Sequence, residues 1–283
     1  MTDTENRTAL RETGGVIFDI KEFTLHDGPG ARTTVFLKGC PLHCIWCHNP
    51  EGMDVSPTLM VKENLCTNCG ACRKPCDHPD CQPFGRCLHI CPKNLISVAG
   101  TAVTAGALSD KLIRQKDFFG KDGGVTLSGG EPLRQPAFAS ALGSLLREAG
   151  VHTALQTSGY ASEDAFRRVL ASVDYVLFDL KLADENEHIR YTGVSNVPIL
   201  RNLGILRASG TPFVLRIPLI PGITAREENL RALAGLAGDD PVELMPYNPY
   251  AGAKYRMVGK PFTYKEQAAG PVPLSLFRNG RIL

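Results

Sequence analysis

Six apolar, strand-like runs punctuate the chain: TTVFLKG (33–39), GVTLSGG (124–130), HTALQTSG (152–159), DYVLFDLK (174–181), PFVLRIPLI (212–220) and PVELMPY (241–247). Continuous runs of this kind, rich in β-branched and aromatic residues, read as strands buried on both faces, the mark of parallel strands with helical crossovers. The crossovers are legible as FASALGSLLREAG (138–150), EDAFRRVLAS (163–172), LRNLGILRASG (200–210) and ENLRALAGLAG (228–238). In the first, Phe138, Ala141, Leu142, Leu145, Leu146 and Ala149 recur at three and four, and Gly150 stands where the helix should stop. Repeated units of this type build an open doubly wound sheet or a barrel. Six are too few for a complete eight-stranded barrel, so the predicted fold is α/β, a partial (β/α)6 TIM-type barrel formed by residues 15–50 and 104–262. Residues 51–103 interrupt the rhythm as a small inserted domain, and 263–283 form a C-terminal tail in which no terminal helix is legible.

The ten cysteines all lie between Cys40 and Cys91, and seven of them fall in the insertion. The N-terminus MTDTENRTALRETGG is polar, without the apolar core of a signal peptide. No run approaches the ~18 apolar residues that cross a bilayer. These features predict a cytoplasmic protein with no membrane partner, and a reducing compartment disfavours a disulfide framework. Metal or cluster ligation is the better account of so many thiols. A net charge of +2 on 283 residues argues against nucleic acid as a partner.

The stretch CPLHCIWC (40–47) follows the first predicted strand, at the end where α/β barrels carry their chemistry. It offers three thiolates, Cys40, Cys44 and Cys47, where a closed site takes four. Three ligands on a four-iron cluster leave one iron open to a reactant, as the open position does in a catalytic zinc site.

This C-x3-C-x2-C loop, with Trp46 before its last cysteine, resembles the cluster loop of the radical S-adenosylmethionine (radical SAM) superfamily. SGGEP (128–132) resembles that superfamily's second motif. DGPGAR (27–32), CHNPE (47–51) and DLK (179–181) narrow the resemblance to the activating enzymes of glycyl radical enzymes, over about Gly15 to Gly259. The resemblance implies a 4Fe–4S cluster on Cys40, Cys44 and Cys47 that binds S-adenosylmethionine and cleaves it reductively to methionine and a 5′-deoxyadenosyl radical. That radical takes hydrogen from a backbone glycine of a partner glycyl radical enzyme. It further implies cofactor contacts from Trp46, Gly129, Gly130, Glu131, Gln156 and Arg216, and a glycine-loop site lined by Asp27, His48, Asp179 and Lys181. An electron donor such as flavodoxin or ferredoxin is implied as a second partner. Gln156 stands where the family often has an acidic residue, and Asn248 where some members have histidine.

Cys66, Cys69, Cys72 and Cys76 form the C-x2-C-x2-C-x3-C run of bacterial ferredoxins, whose last cysteine ligates the other cluster of a pair. Cys81, Cys87 and Cys91-Pro92 supply the first, third and fourth positions of a second run, but Phe84 occupies the second. A ferredoxin-like cluster domain is therefore predicted, with one complete set (Cys66, Cys69, Cys72, Cys91) and one incomplete set (Cys76, Cys81, Cys87). The second set fits a three-iron cluster, a cluster with a non-cysteine ligand, or none; zinc on some of these thiolates is the competing reading.

Each motif alone has a plainer reading. DGPG is a turn tetrapeptide, GG before Glu131 a strand-to-helix turn, and Arg216 the neutraliser of a buried carboxylate. Two other functions compete: a radical enzyme acting on a small molecule, and an iron–sulfur electron carrier. The first should turn over without a protein partner; the second should have no need of Glu131 or Arg216.

Overall fold

The computed structural model describes residues 3–265, 270 and 274–283, so part of the 263–283 tail lies outside the described residues. An N-terminal helix α1 (Asp3–Glu12) leads into β1 (Gly14–Thr24) and β2 (Arg32–Leu37). Residues 51–103, expected to be an insertion, contain β3 (Thr58–Val61), β4 (Ile96–Ala99) and most of β5 (Thr101–Thr104), which leads into α2 (Ala105–Ile113). The alternating part runs β6 (Gly124–Gly129), α3 (Pro136–Glu148), β7 (His152–Thr157), α4 (Glu163–Leu170), β8 (Tyr175–Asp179), α5 (Glu185–Thr192) and α6 (Val197–Ser209). It ends with β9 (Phe213–Leu219), α7 (Glu227–Ala237), β10 (Val242–Pro246), α8 (Ala251–Met257) and β11 (Gly280–Ile282).

Among the described residues, nine strands form one sheet in the order β11-β10-β9-β8-β7-β6-β2-β1-β5. The six strands predicted from sequence, β2, β6, β7, β8, β9 and β10, pair in parallel with one another. This is the mostly parallel α/β sheet of a partial TIM-type barrel. No pairing joins β5 to β11 among the described residues, so the sheet stays open. Three strands outside the predicted rhythm extend it: β1 and β5 in antiparallel pairs, and β11 parallel to β10 along Val242–Leu244. β11 arises from the tail and shields what would otherwise be a bare edge of β10.

Local chemistry sets the helix ends. Thr104, Ser162 and Asp184 accept hydrogen bonds from Ala107, Ala165 and Glu187 N–H and so cap α2, α4 and α5. Gly193 and Gly210, with φ of 81° and 74°, close α5 and α6. The helices bury Leu142, Leu146, Phe166, Leu206 and Leu230 against Val125, Leu127, Leu155, Val176 and Leu215 of the sheet, forming one main core. The parallel strands therefore deliver their C-terminal ends to a common edge.

Between β3 and β4 the described residues form only loops and 3₁₀ turns, at Glu63–Leu65, Ala71–Arg73 and Pro79–Phe84. No helix among the described residues is long and apolar enough to cross a membrane.

Candidate active site at the C-terminal edge of the sheet

The three-cysteine loop leaves the end of β2 and is stitched down by its backbone. Gly39 and Cys40 N–H donate to the carbonyls of Gly52 and Met53, both at 2.8 Å. His43 N–H donates to Thr192 O at 2.7 Å, tying the loop to the end of α5. Leu42, Cys44 and Trp46 enter a second apolar cluster with Leu182, Ile220, Ile223 and Tyr264. Trp46, implied by the resemblance to touch the cofactor, is buried in that cluster. Burial raises all three thiols above their ordinary range, Cys44 to about 12. Such thiols become ligands when a bound metal supplies enough positive charge to offset that burial.

Gly129 and Gly130 bring the next loop flat against this one. A Cβ on Gly130 would stand 2.4 Å from Gly39 O and 2.6 Å from Gly52 O, and one on Gly129 would stand 2.1 Å from Leu37 O. Only glycine allows that approach. Glu131 is 1% exposed. Its carboxylate accepts hydrogen bonds from Thr157 Oγ1 (2.6 Å), Ser158 N–H (2.8 Å), Ser158 Oγ (2.6 Å) and Leu133 N–H (3.1 Å). It clasps β6 to β7, and the chain itself fills its acceptor positions.

Gln156 Oε1 accepts from Ser128 Oγ at 2.9 Å, one strand pair away. Further round, the register sets Asp179 opposite Arg216 and Arg216 opposite Glu243. Lys181 Nζ lies 3.1 Å from Asp179 Oδ2. Burial opposes its charge, but Asp179 and the nearby Cys44 outweigh that and hold Lys181 above its ordinary value. The DLK motif thus reaches the cysteine loop. Arg216 Nε donates to Glu243 Oε2 at 2.8 Å, with both side chains nearly inaccessible, and its second arm reaches His26 O. The adjoining Asp27 accepts from Thr34 Oγ1 at 2.7 Å, and its carbonyl accepts from Thr126 Oγ1 at 2.6 Å. The 26–27 segment therefore crosses the inner face from β2 and β6 to β9. His48 packs its ring 6.0 Å from that of Tyr247.

Two buried polar atoms here, His48 Nε2 and Asp179 Oδ1, have no hydrogen-bond partner among the described residues. Buried polar atoms are normally satisfied, so these two are open to a group from outside the chain. The soft three-thiol donor set and this orphaned pair fit a cluster with a polar, charged cofactor beside it.

In the insertion, Cys66, Cys69, Cys72 and Cys91 line one cavity of about 370 Å³. Cys76, Cys81 and Cys87 gather separately, with His78. Sequence reading passed over His78, although a histidine two residues after Cys76 was a usable signal where Phe84 breaks the pattern. It also passed over Thr157 and Ser158, which hold Glu131, and Glu243, which holds Arg216. Lys38 was missed as well: it is wholly buried and donates to Glu51 O (2.5 Å) and Thr58 Oγ1 (2.8 Å).

Residues 34–234 match the radical SAM superfamily profile. The isethionate sulfite-lyase activating enzyme of Oleidesulfovibrio alaskensis is 37% identical, over 88% of this chain and 89% of the relative. The 4-hydroxyphenylacetate decarboxylase activating enzyme of Clostridioides difficile is 32% identical, over 92% of this chain and 90% of the relative. Among solved structures, Streptococcus suis SuiB bound to its precursor peptide SuiA superposes with a TM-score of 0.50 at 14% identity, covering 78% of this chain and 40% of that one, a likeness of fold. The chain belongs to the radical SAM superfamily and, within it, to the activating enzymes of glycyl radical enzymes.

Proposed function

We propose that the chain activates a glycyl radical enzyme of the lyase, decarboxylase or dehydratase type, with Cys40, Cys44 and Cys47 as the ligands of its catalytic 4Fe–4S cluster. When bound, the cluster and S-adenosylmethionine supply one-electron cleavage of the sulfonium to methionine and a 5′-deoxyadenosyl radical, which leaves as 5′-deoxyadenosine after taking a glycine hydrogen. The chain's own residues bind, orient and exclude water. Glu131 is committed to Thr157, Ser158 and Leu133, so the Gly129–Gly130 backbone, rather than that carboxylate, meets the cofactor's ammonium. Lys181 offsets thiolate charge on Cys44. Glu243 fixes the direction of Arg216 toward the cofactor, and Gln156 lines the same face through Ser128. Asp179 Oδ1 and His48 Nε2 receive the partner's glycine loop, with Asp27 at the edge of that path. In the insertion, Cys66, Cys69, Cys72 and Cys91 would hold a further cluster, which would supply a redox relay between a flavodoxin- or ferredoxin-type donor and the barrel.

The observation that carries this reading is the convergence of the cysteine loop, the Gly-Gly-Glu clasp and the Asp-Leu-Lys turn at one edge of the sheet, beside two orphaned polar atoms. The test is anaerobic reconstitution, dithionite reduction and assay of 5′-deoxyadenosine, followed by electron paramagnetic resonance with candidate partners. Deoxyadenosine in step with a glycyl radical doublet on one partner supports the proposal. Multiple turnovers on a small molecule without any partner, or no cleavage from a fully loaded protein, would overturn it.

A further inference from the structure

From Lys62 to Asn94 the only buried side chains are Cys81 and Cys87. A stretch of that length without an apolar core needs another source of order. Both cysteines belong to one group: the ligand atoms of Cys76, His78, Cys81 and Cys87 all lie within 4.8 Å of one another, with Cys76 Sγ 2.9 Å from His78 Nδ1. Size separates the candidate occupants. A tetrahedral ion with metal–sulfur bonds of about 2.3 Å and metal–nitrogen bonds of about 2.0 Å sets its ligand atoms roughly 3.5–3.8 Å apart. Thiolates on different irons of a cubane stand roughly 6 Å apart, because an iron–iron edge lies between them. Among the described residues, the Cys66, Cys69, Cys72 and Cys91 set is not drawn together so tightly; it surrounds a cavity instead. The two sets are therefore built for objects of different size.

We propose that Cys76, His78, Cys81 and Cys87 bind a single tetrahedral zinc ion that staples the insertion, where a second insertion cluster would otherwise sit. Three thiolates and one imidazole are a complete donor set for structural zinc. His78 replaces the ligand that Phe84 cannot supply, and the short link DHPD brings it within reach. Neighbours fix the ligands in place. The His78 ring meets that of His89 edge-on at 5.0 Å, and His89 Nε2 is bonded to Asp80 Oδ2 at 2.8 Å. Gln82 Nε2 donates to Cys76 O at 2.7 Å, and Leu88 N–H donates to Cys81 Sγ at 3.3 Å. Supports of this kind orient metal ligands and raise affinity. Asp80, Cys81 and His89 also lie together, but they share Cys81, so both groups cannot be filled at once. The staple bears on its neighbour too, because Cys87 N–H donates to Cys72 O at 2.9 Å. Zinc has no redox chemistry, so electrons crossing the insertion use the Cys66 set alone. The site is independent of what the barrel catalyses.

The test is metal analysis of the full-length protein, purified anaerobically from zinc-replete cells and reconstituted with iron and sulfide. The expected result is about one zinc beside roughly eight irons, two cubanes, per chain. Zinc-edge X-ray absorption should show three sulfurs at about 2.3 Å and one nitrogen at about 2.0 Å. His78→Ala should lose the zinc and keep the iron, His78→Cys should retain zinc with four sulfurs, and His89→Ala should keep it. The His78→Cys result stands even if the alanine variant folds poorly. Roughly twelve irons without zinc, eight irons without zinc, or zinc content indifferent to both His78→Ala and Cys81→Ala would each overturn the proposal.

Discussion

The barrel mouth and the insertion are both cysteine-rich loops, held in place in different ways. At the mouth, Cys44 and Trp46 sit in an apolar cluster, the loop backbone is bonded to residues 52, 53 and 192, and Gly130 packs against its carbonyls. The fold would hold that loop in shape without its cluster. In the insertion, Cys66 and Cys69 are exposed, the backbone turns in short 3₁₀ segments, and burial is confined to two cysteines. Where burial supplies the stability, metal is free to serve chemistry; where it does not, metal binding becomes folding energy.

The largest effect expected from this contrast is on turnover. Cys44→Ser should cut deoxyadenosine formation by more than ~1000-fold, while Cys69→Ser, reduced directly by dithionite, should keep at least a tenth of it. Equal losses in that assay would break the distinction between a chemical and a supporting region. Metal removal should come next. In the stripped chain, proteolysis within 62–94 should accelerate at least tenfold with the β6–β10 core left intact, as read by mass spectrometry of the fragments. Cleavage of both regions at one rate would show the barrel to be metal-dependent as well.

Glu131→Ala probes the clasp itself. It strands the Thr157, Ser158 and Leu133 donors and should cost about 3 kcal/mol of stability, seen as a lowered thermal midpoint of the loaded protein. Glu131→Gln, which keeps an acceptor, should cost less. The smallest effect concerns His188, which is 1% exposed with Nδ1 2.7 Å from Val194 O. Burial lowers its protonation range, although the Val194 bond opposes this. The unfolded chain then binds the proton first, so the stability from His188 is present above about pH 6.5 and is lost as pH falls below it. His152 and His48 are lowered likewise. His188→Gln should therefore flatten, without abolishing, the fall in denaturant midpoint between pH 6.5 and 5. An unchanged slope would place the dependence in the other two.

The amino-acid sequence determined the six parallel strands, four of the helices and the three-cysteine loop at a strand end. Those features are written in local pattern: apolar runs, three-and-four spacing, and thiols a few residues apart. β1, β5 and β11 were not legible: β5 and β11 are edge strands, β1 joins β5 to β2, and all three are selected by a neighbour needing a partner rather than by their own pattern. The same limit governs the site. The family resemblance pointed to Glu131 and Arg216, but only tertiary structure matched Glu131 with Thr157 and Ser158, and Arg216 with Glu243. Only tertiary structure set His78 beside Cys76, Cys81 and Cys87 where the cysteine pattern runs out. A hydrogen bond or a metal reads distance in space, and sequence separation carries that distance only when the chain between is short or regular.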